Sequence, residues 1–148
     1  MQLTNKIKTT LCKTAVAAGQ TDITDATAID MAGYEGCRFI FSFGAITSGA
    51  VTSIAVAALA TSSPTPETDD MLGTGISVTD GSDNTLYIID IYKPRLRYLR
   101  PHVQRATQDA VLNSIIAEQY GHSGLEPIAK SSTVTAQELH TSPAQGTA

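Results

Sequence analysis

Gly36-Cys37-Arg38-Phe39-Ile40-Phe41-Ser42-Phe43-Gly44 is the stretch on which the fold turns. In an extended chain successive side chains point to opposite faces. Phe39, Phe41 and Phe43 therefore share one face, and Arg38, Ile40 and Ser42 the other. These are the only 3 Phe in 148 residues, and there is no Trp. A face that gathers every Phe of the chain is the expected centre of the core.

Turn residues punctuate the chain on both sides of this strand, and the pieces between them are strand-sized. Upstream, residues 8–18 alternate loosely as a first strand, 20–25 form a polar turn, and 27–31 make a short strand ended by Ala32-Gly33. Downstream, Thr47-Ser48-Gly49 reads as a hairpin turn and 50–60 as the partner strand. Residues 61–70 hold 2 Pro and 3 acids and read as an exposed loop. Residues 71–78 suggest a short strand, broken by Gly73 and Gly75. Residues 80–84 are rich in Asx turn chemistry. Residues 85–92 alternate Leu86, Ile88 and Asp90 with Tyr87, Ile89 and Ile91, and either set could face the core. Pro94 ends that strand. A further strand covers 96–106, with Pro101 marking a bulge or an edge. Residues 111–120 fit both strand and helical spacing and are read as strand.

Seven or eight short strands with turns every 8–12 residues predict an all-β fold: an antiparallel β-sandwich, jelly-roll-like, over residues 1–128. That length buries about 70% of the surface the unfolded chain exposes, so no staples are needed. Residues 129–148 read as a low-complexity C-terminal arm. Past Ile128 only Val134 and Leu139 are sizeable apolar side chains, too few to offset the entropy of ordering the segment on its own domain. Thr133-Val134-Thr135 is a candidate for strand addition to a sheet edge of a neighbour.

Charged residues make up 16% of the chain and Thr alone numbers 20. Thr suits a half-exposed pleated face. Net charge is −4, which argues against nucleic-acid binding in bulk. Lys6, Lys8 and Lys13 interrupt every apolar stretch near the N-terminus, unlike a secretory leader. No run has the apolar length of a membrane helix. Cys12 and Cys37 read as buried thiols.

The sequence offers no catalytic constellation. His102, His122 and His140 lack metal-ligand spacing, Ser123 is not in a nucleophile elbow, and neither Cys has a base nearby in sequence. Asp80-Gly81-Ser82-Asp83-Asn84 lacks the spacing of a calcium loop. No enzyme activity, cofactor or metal is expected. The one distinctive cluster is basic: Lys93, Arg95, Arg97, Arg100 and Arg105, with no acid between them. On a strand, Arg95 and Arg97 would point one way and Arg100 the other. Such a row repels itself unless something negative faces it. The partner could be the acidic 61–70 loop, an acidic neighbouring subunit or phosphate; carboxylate pairing is favoured. Nucleic acid is disfavoured, since no aromatic platform is interleaved.

The stretch from Ile29-Asp30-Met31-Ala32-Gly33-Tyr34 through Phe43-Gly44-Ala45-Ile46 to Thr47-Ser48-Gly49-Ala50-Val51 resembles small virion proteins of tailed bacteriophages. So do Asp83-Asn84-Thr85-Leu86, Lys93-Pro94 and Arg97-Tyr98-Leu99-Arg100. The resemblance spans about residues 8–128. It implies a capsid cement or decoration protein, made in the host cytoplasm. Its place would be the outer surface of the major capsid protein lattice, as a homo-oligomer (dimer or trimer). It supplies no catalytic or ligand residues. Partner contacts are expected at Arg95, Arg97 and Arg100 and at Thr133, Val134 and Thr135. The alternatives are a neck or tail structural protein of the same virion, or a carbohydrate-binding module, whose aromatic platforms this chain lacks.

Overall fold

The computed structural model describes residues 2–124, 126–140 and 145. A short helical turn, α1 (Leu3–Lys6), leads into β1 (Lys8–Lys13), β2 (Val16–Gly19), β3 (Ile29–Asp30), β4 (Gly36–Ile46) and β5 (Val51–Leu59). Then come β6 (Ile76–Val78), β7 (Leu86–Tyr92), β8 (Tyr98–Ala106) and β9 (Ala110–Tyr120). Residues 111–120 are thus strand.

The strands form two antiparallel sheets packed face to face, an all-β sandwich. The first has the order β1-β9-β4-β7, with β2 pairing the other half of β9; the second has the order β3-β8-β5-β6. If β1 and β2 count as one broken edge, the chain visits the first sheet, the second, the first, the second twice, then first, second and first. The first and last strands end as neighbours. This is jelly-roll order.

The packing follows the pattern of apolar side chains. Phe39, Phe41 and Phe43 are fully buried between the sheets, with Ile54, Val56, Leu99, Val103, Leu112 and Ile115. On β7 the structure turns Ile89 and Ile91 inward and leaves Leu86 and Ile88 exposed.

Three expectations are corrected. β5 is not the hairpin partner of β4. β4 pairs with β7 and β9, and β5 pairs with β6 and β8. The 47–50 turn crosses between sheets, so the apolar faces of both strands meet across the core rather than lying side by side. The crossing is held by Thr47 N–H to Asp109 C=O at 2.9 Å and Gly49 N–H to Asp80 Oδ2 at 2.6 Å. Pro101 is not on an edge, since β8 lies between β3 and β5. Val103 exchanges both backbone hydrogen bonds with Ile23, and Met31 N–H donates to Arg97 C=O, so odd-numbered residues of β8 turn their backbone toward that side. Pro101 falls between the Ile23 bridge and β3, where the neighbouring chain is interrupted and no donor is needed. Finally, β8 begins at Tyr98, so Arg95 and Arg97 lie in the bend before it.

Candidate interaction surface

The basic cluster is divided by the fold. Arg97 donates from Nε and Nη2 to the two carboxylate oxygens of Asp30, both at 2.8 Å. The fork holds the Asp30 carboxyl below its usual range and raises Arg97. The carboxylate expected on a sister copy or capsid protein is, for Arg97, on its own chain. Arg105 faces inward. Its guanidinium donates to the carbonyls of Thr21 (2.7 Å), Ala17 (3.0 Å) and Ala110 (2.7 Å), tying together β2, β9 and the 20–22 turn. Desolvation lowers its pKa. Arg100 stands opposite Ala57 on the outer side of the second sheet. Its Nε is buried without a hydrogen-bond partner among the described residues. Lys93 and Arg95 are exposed and form no ion pair among the described residues.

The acidic loop forms no ion pair with the arginines among the described residues. His102, fully buried on β8, places Nε2 2.8 Å from Asp70 Oδ1. Asp70 Oδ1 also accepts from Glu67 N–H, and Asp69 Oδ2 from Thr65 N–H at 2.7 Å. The loop is therefore tied to itself, and its end is held to the second sheet by this histidine and by Ala58 N–H donating to Asp69 C=O at 2.9 Å.

Residues 126–140 lie on their own domain, which corrects the expectation that the tail finds no purchase there. Ile128 N–H donates to Asn5 C=O (3.1 Å), Leu11 N–H to Thr133 Oγ1 (3.0 Å) and Gln137 Nε2 to Thr4 C=O (2.9 Å). Ile128 and Ser131 are buried. Polar contacts to backbone groups of the N-terminal segment do what the scarce apolar side chains could not. Thr133 and Val134 do not extend as a strand: Val134 N–H returns to Ser131 C=O at 3.0 Å, closing a turn, and Thr135 is exposed.

This arm borders the outer face of the first sheet. Register places Ile88, Ile40, Ile116 and Leu11 in one row across β7, β4, β9 and β1. The next row is Asp90, Arg38, Glu118 and Thr9. Arg38 donates from Nε and Nη2 to Glu118 Oε2. Tyr120 donates its hydroxyl to Asp90 Oδ1 at 2.7 Å, crossing over the middle strand at Gly36. A Cβ on Gly36 would lie 2.2 Å from the Tyr120 ring, so only glycine leaves room for that crossing. Burial, reinforced by Asp90, pushes the Tyr120 hydroxyl up to about 12. The charged row lines a groove of about 560 Å3 together with Leu3, Thr4 and Ile7 of the N-terminal segment and Val134, Ala136 and Gln137 of the arm. Sequence reading found neither row, because each is assembled from four strands far apart in the chain.

Cys12 and Cys37 are free, buried thiols; burial pushes Cys12 up to about 12 and raises Cys37 further. Among the described residues no group of three or more His, Cys, Asp or Glu is placed to hold a metal ion, and no helix is long and apolar enough to cross a membrane. The arrangement offers a surface with one ion pair, one carboxylate–hydroxyl bond and an apolar stripe beside them. No family model matches the sequence, and no curated protein matches it.

Proposed function

We propose that this protein is a capsid cement or decoration protein of a tailed bacteriophage. It would bind the outer surface of the major capsid protein lattice and stabilise the head. The observation that carries the reading is the outer face of the first sheet. An apolar row runs the full width of the sheet, with Ile88 48% exposed and Leu86 61% exposed beside it. A soluble monomer rarely displays a contiguous apolar strip without covering it with a partner. Of its charges, Arg38 is paired with Glu118 and Asp90 accepts the Tyr120 hydroxyl, so each meets the lattice with a partner already in place. The jelly-roll frame is one on which capsid proteins are built, although a fold alone assigns no function. Many copies with modest contacts would together resist opening of the shell.

The test is binding to purified particles that lack the protein, with copies per particle counted by mass spectrometry. Hundreds of copies support the cement reading; a dozen or fewer point to the neck or tail. Ile40→Glu, placed in the apolar row, should lower occupancy about tenfold or more while circular dichroism stays that of the wild type. Unchanged occupancy would remove this face from the interface.

A further inference from the structure

The open edge of β7 carries a second inference, one that needs no capsid. Phe43 N–H donates to Thr85 C=O at one end of the β4–β7 ladder, and Lys93 N–H to Glu35 C=O at the other. Both bonds obey the register of the strand pair, in which Cys37 faces Ile91 and Phe39 faces Ile89. The odd-numbered residues of β7 therefore turn their N–H and C=O groups toward β4. Leu86, Ile88, Asp90 and Tyr92 turn theirs to the outside, where β7 ends the sheet. No hydrogen bond among the described residues reaches those backbone groups. The same four residues project from the outer face, with Leu86 61%, Ile88 48% and Tyr92 59% exposed. The strand has neither the Lys nor the Pro with which proteins usually blunt a free edge.

Charge selects the occupant. Before β7 stand Asp80 and Asp83, each using one carboxylate oxygen to accept a backbone N–H, from Gly49 and Ile46. After it stand Lys93 and Arg95, which form no ion pair among the described residues. The edge is thus acidic at one end and basic at the other. An antiparallel copy of the same edge matches it at both ends. We propose that two copies of this chain pair through their β7 strands into one sheet continuous across a twofold axis. Full overlap sets Leu86 opposite Tyr92 of the partner subunit and Ile88 opposite Asp90 of the partner subunit. It brings Lys93 and Arg95 toward the partner's acidic turn, twice. No like charges face each other in that register, and the single acid on the strand, Asp90, keeps its Tyr120 hydroxyl.

Sedimentation equilibrium of the full chain should give twice the chain mass, with dissociation promoted by salt. Ile88→Glu should weaken self-association about tenfold or more, because it sets a carboxylate opposite Asp90 of the partner subunit, twice. Lys93→Glu with Arg95→Glu should weaken it at low salt and reverse the salt dependence, since carboxylates then face the partner's acidic turn. The register has its own test. Opposed residues that turn their backbones toward each other have Cα atoms about 5.5 Å apart, a span that a disulfide bridges. The double variant Leu86→Cys/Tyr92→Cys should oxidise to a covalent dimer, whereas either single variant should not. Should Ile88→Glu fail to fold, as circular dichroism would show, the cysteine pair still decides. A wild-type chain that stays monomeric up to about 0.5 mM overturns the proposal. So does a dimer that the cysteine pair fails to link, which would place the interface elsewhere.

Discussion

At the scale of single residues, the fold assigns unlike tasks to side chains that look alike in the sequence. Five cations crowd residues 93–105. One is a buried clamp, one is half of a surface fork, one backs the outer side of a sheet and two are free in the bend. Arg105→Lys keeps the charge but not the fork that reaches three carbonyls. Each acceptor left unpaired costs about 1–3 kcal/mol, so chemical denaturation should show a loss of at least about 3 kcal/mol. Asp70→Ala removes the partner of buried His102 and should cost about 1–3 kcal/mol, with faster proteolytic cleavage within residues 61–70. Unchanged cleavage would mean that the histidine does not pin the loop. Acid should act through Asp25 and Asp30, whose carboxyls are lowered below the ordinary 3.8 by Lys13 and Arg97 respectively. A depressed carboxyl contributes stability above its unfolded value, and that contribution is lost as pH falls through the folded value. Melting temperature should therefore hold near neutrality and fall below about pH 4. In Asp25→Asn the fall should be shallower; an equally steep one would assign acid sensitivity elsewhere.

At the scale of elements, β4 was readable from its own residues because alternation is a local property. All three aromatic side chains point where the period of two puts them, and all three are fully buried. Phe41→Ala should cost about 3–5 kcal/mol by urea unfolding. The choice between the two faces of β7 was not local. Leu86 and Ile88 are as apolar as Ile89 and Ile91, and only pairing with β4 turned the latter pair inward. The arm shows the reverse error. Counting apolar side chains missed the bonds that Thr133, Gln137 and the Ile128 backbone make to residues 4–11. Truncation after residue 128 keeps Ile128 and loses the Thr133 bond to Leu11, so it should lower stability by about 1 kcal/mol. A truncated chain as stable as the full one would show that these contacts contribute nothing net.

At the scale of the whole molecule, the sandwich presents two kinds of exposed β-structure: the outer face of the first sheet and its β7 edge. The two proposals are compatible, since pairing two edges leaves both outer faces uncovered and sets each copy's apolar row in line with the partner's charged row. Gly36→Ala tests how finely that face is built. The added methyl should displace the Tyr120 ring, release Asp90 from its 2.7 Å hydroxyl bond and lower the phenol's pKa in an ultraviolet pH titration. An unmoved titration would mean that the ring tolerates the methyl. By itself the sequence determined the class of fold and the strand that centres the core. Both are written in neighbouring residues, through a period of two and the turn signals between strands. Only the tertiary structure decided which strands share a sheet, which face of β7 is wet, which carboxylate each arginine meets and where the tail lies. These depend on pairings between residues as far apart as Leu11 and Thr133. A linear pattern carries no information on such pairings until the chain has closed on itself.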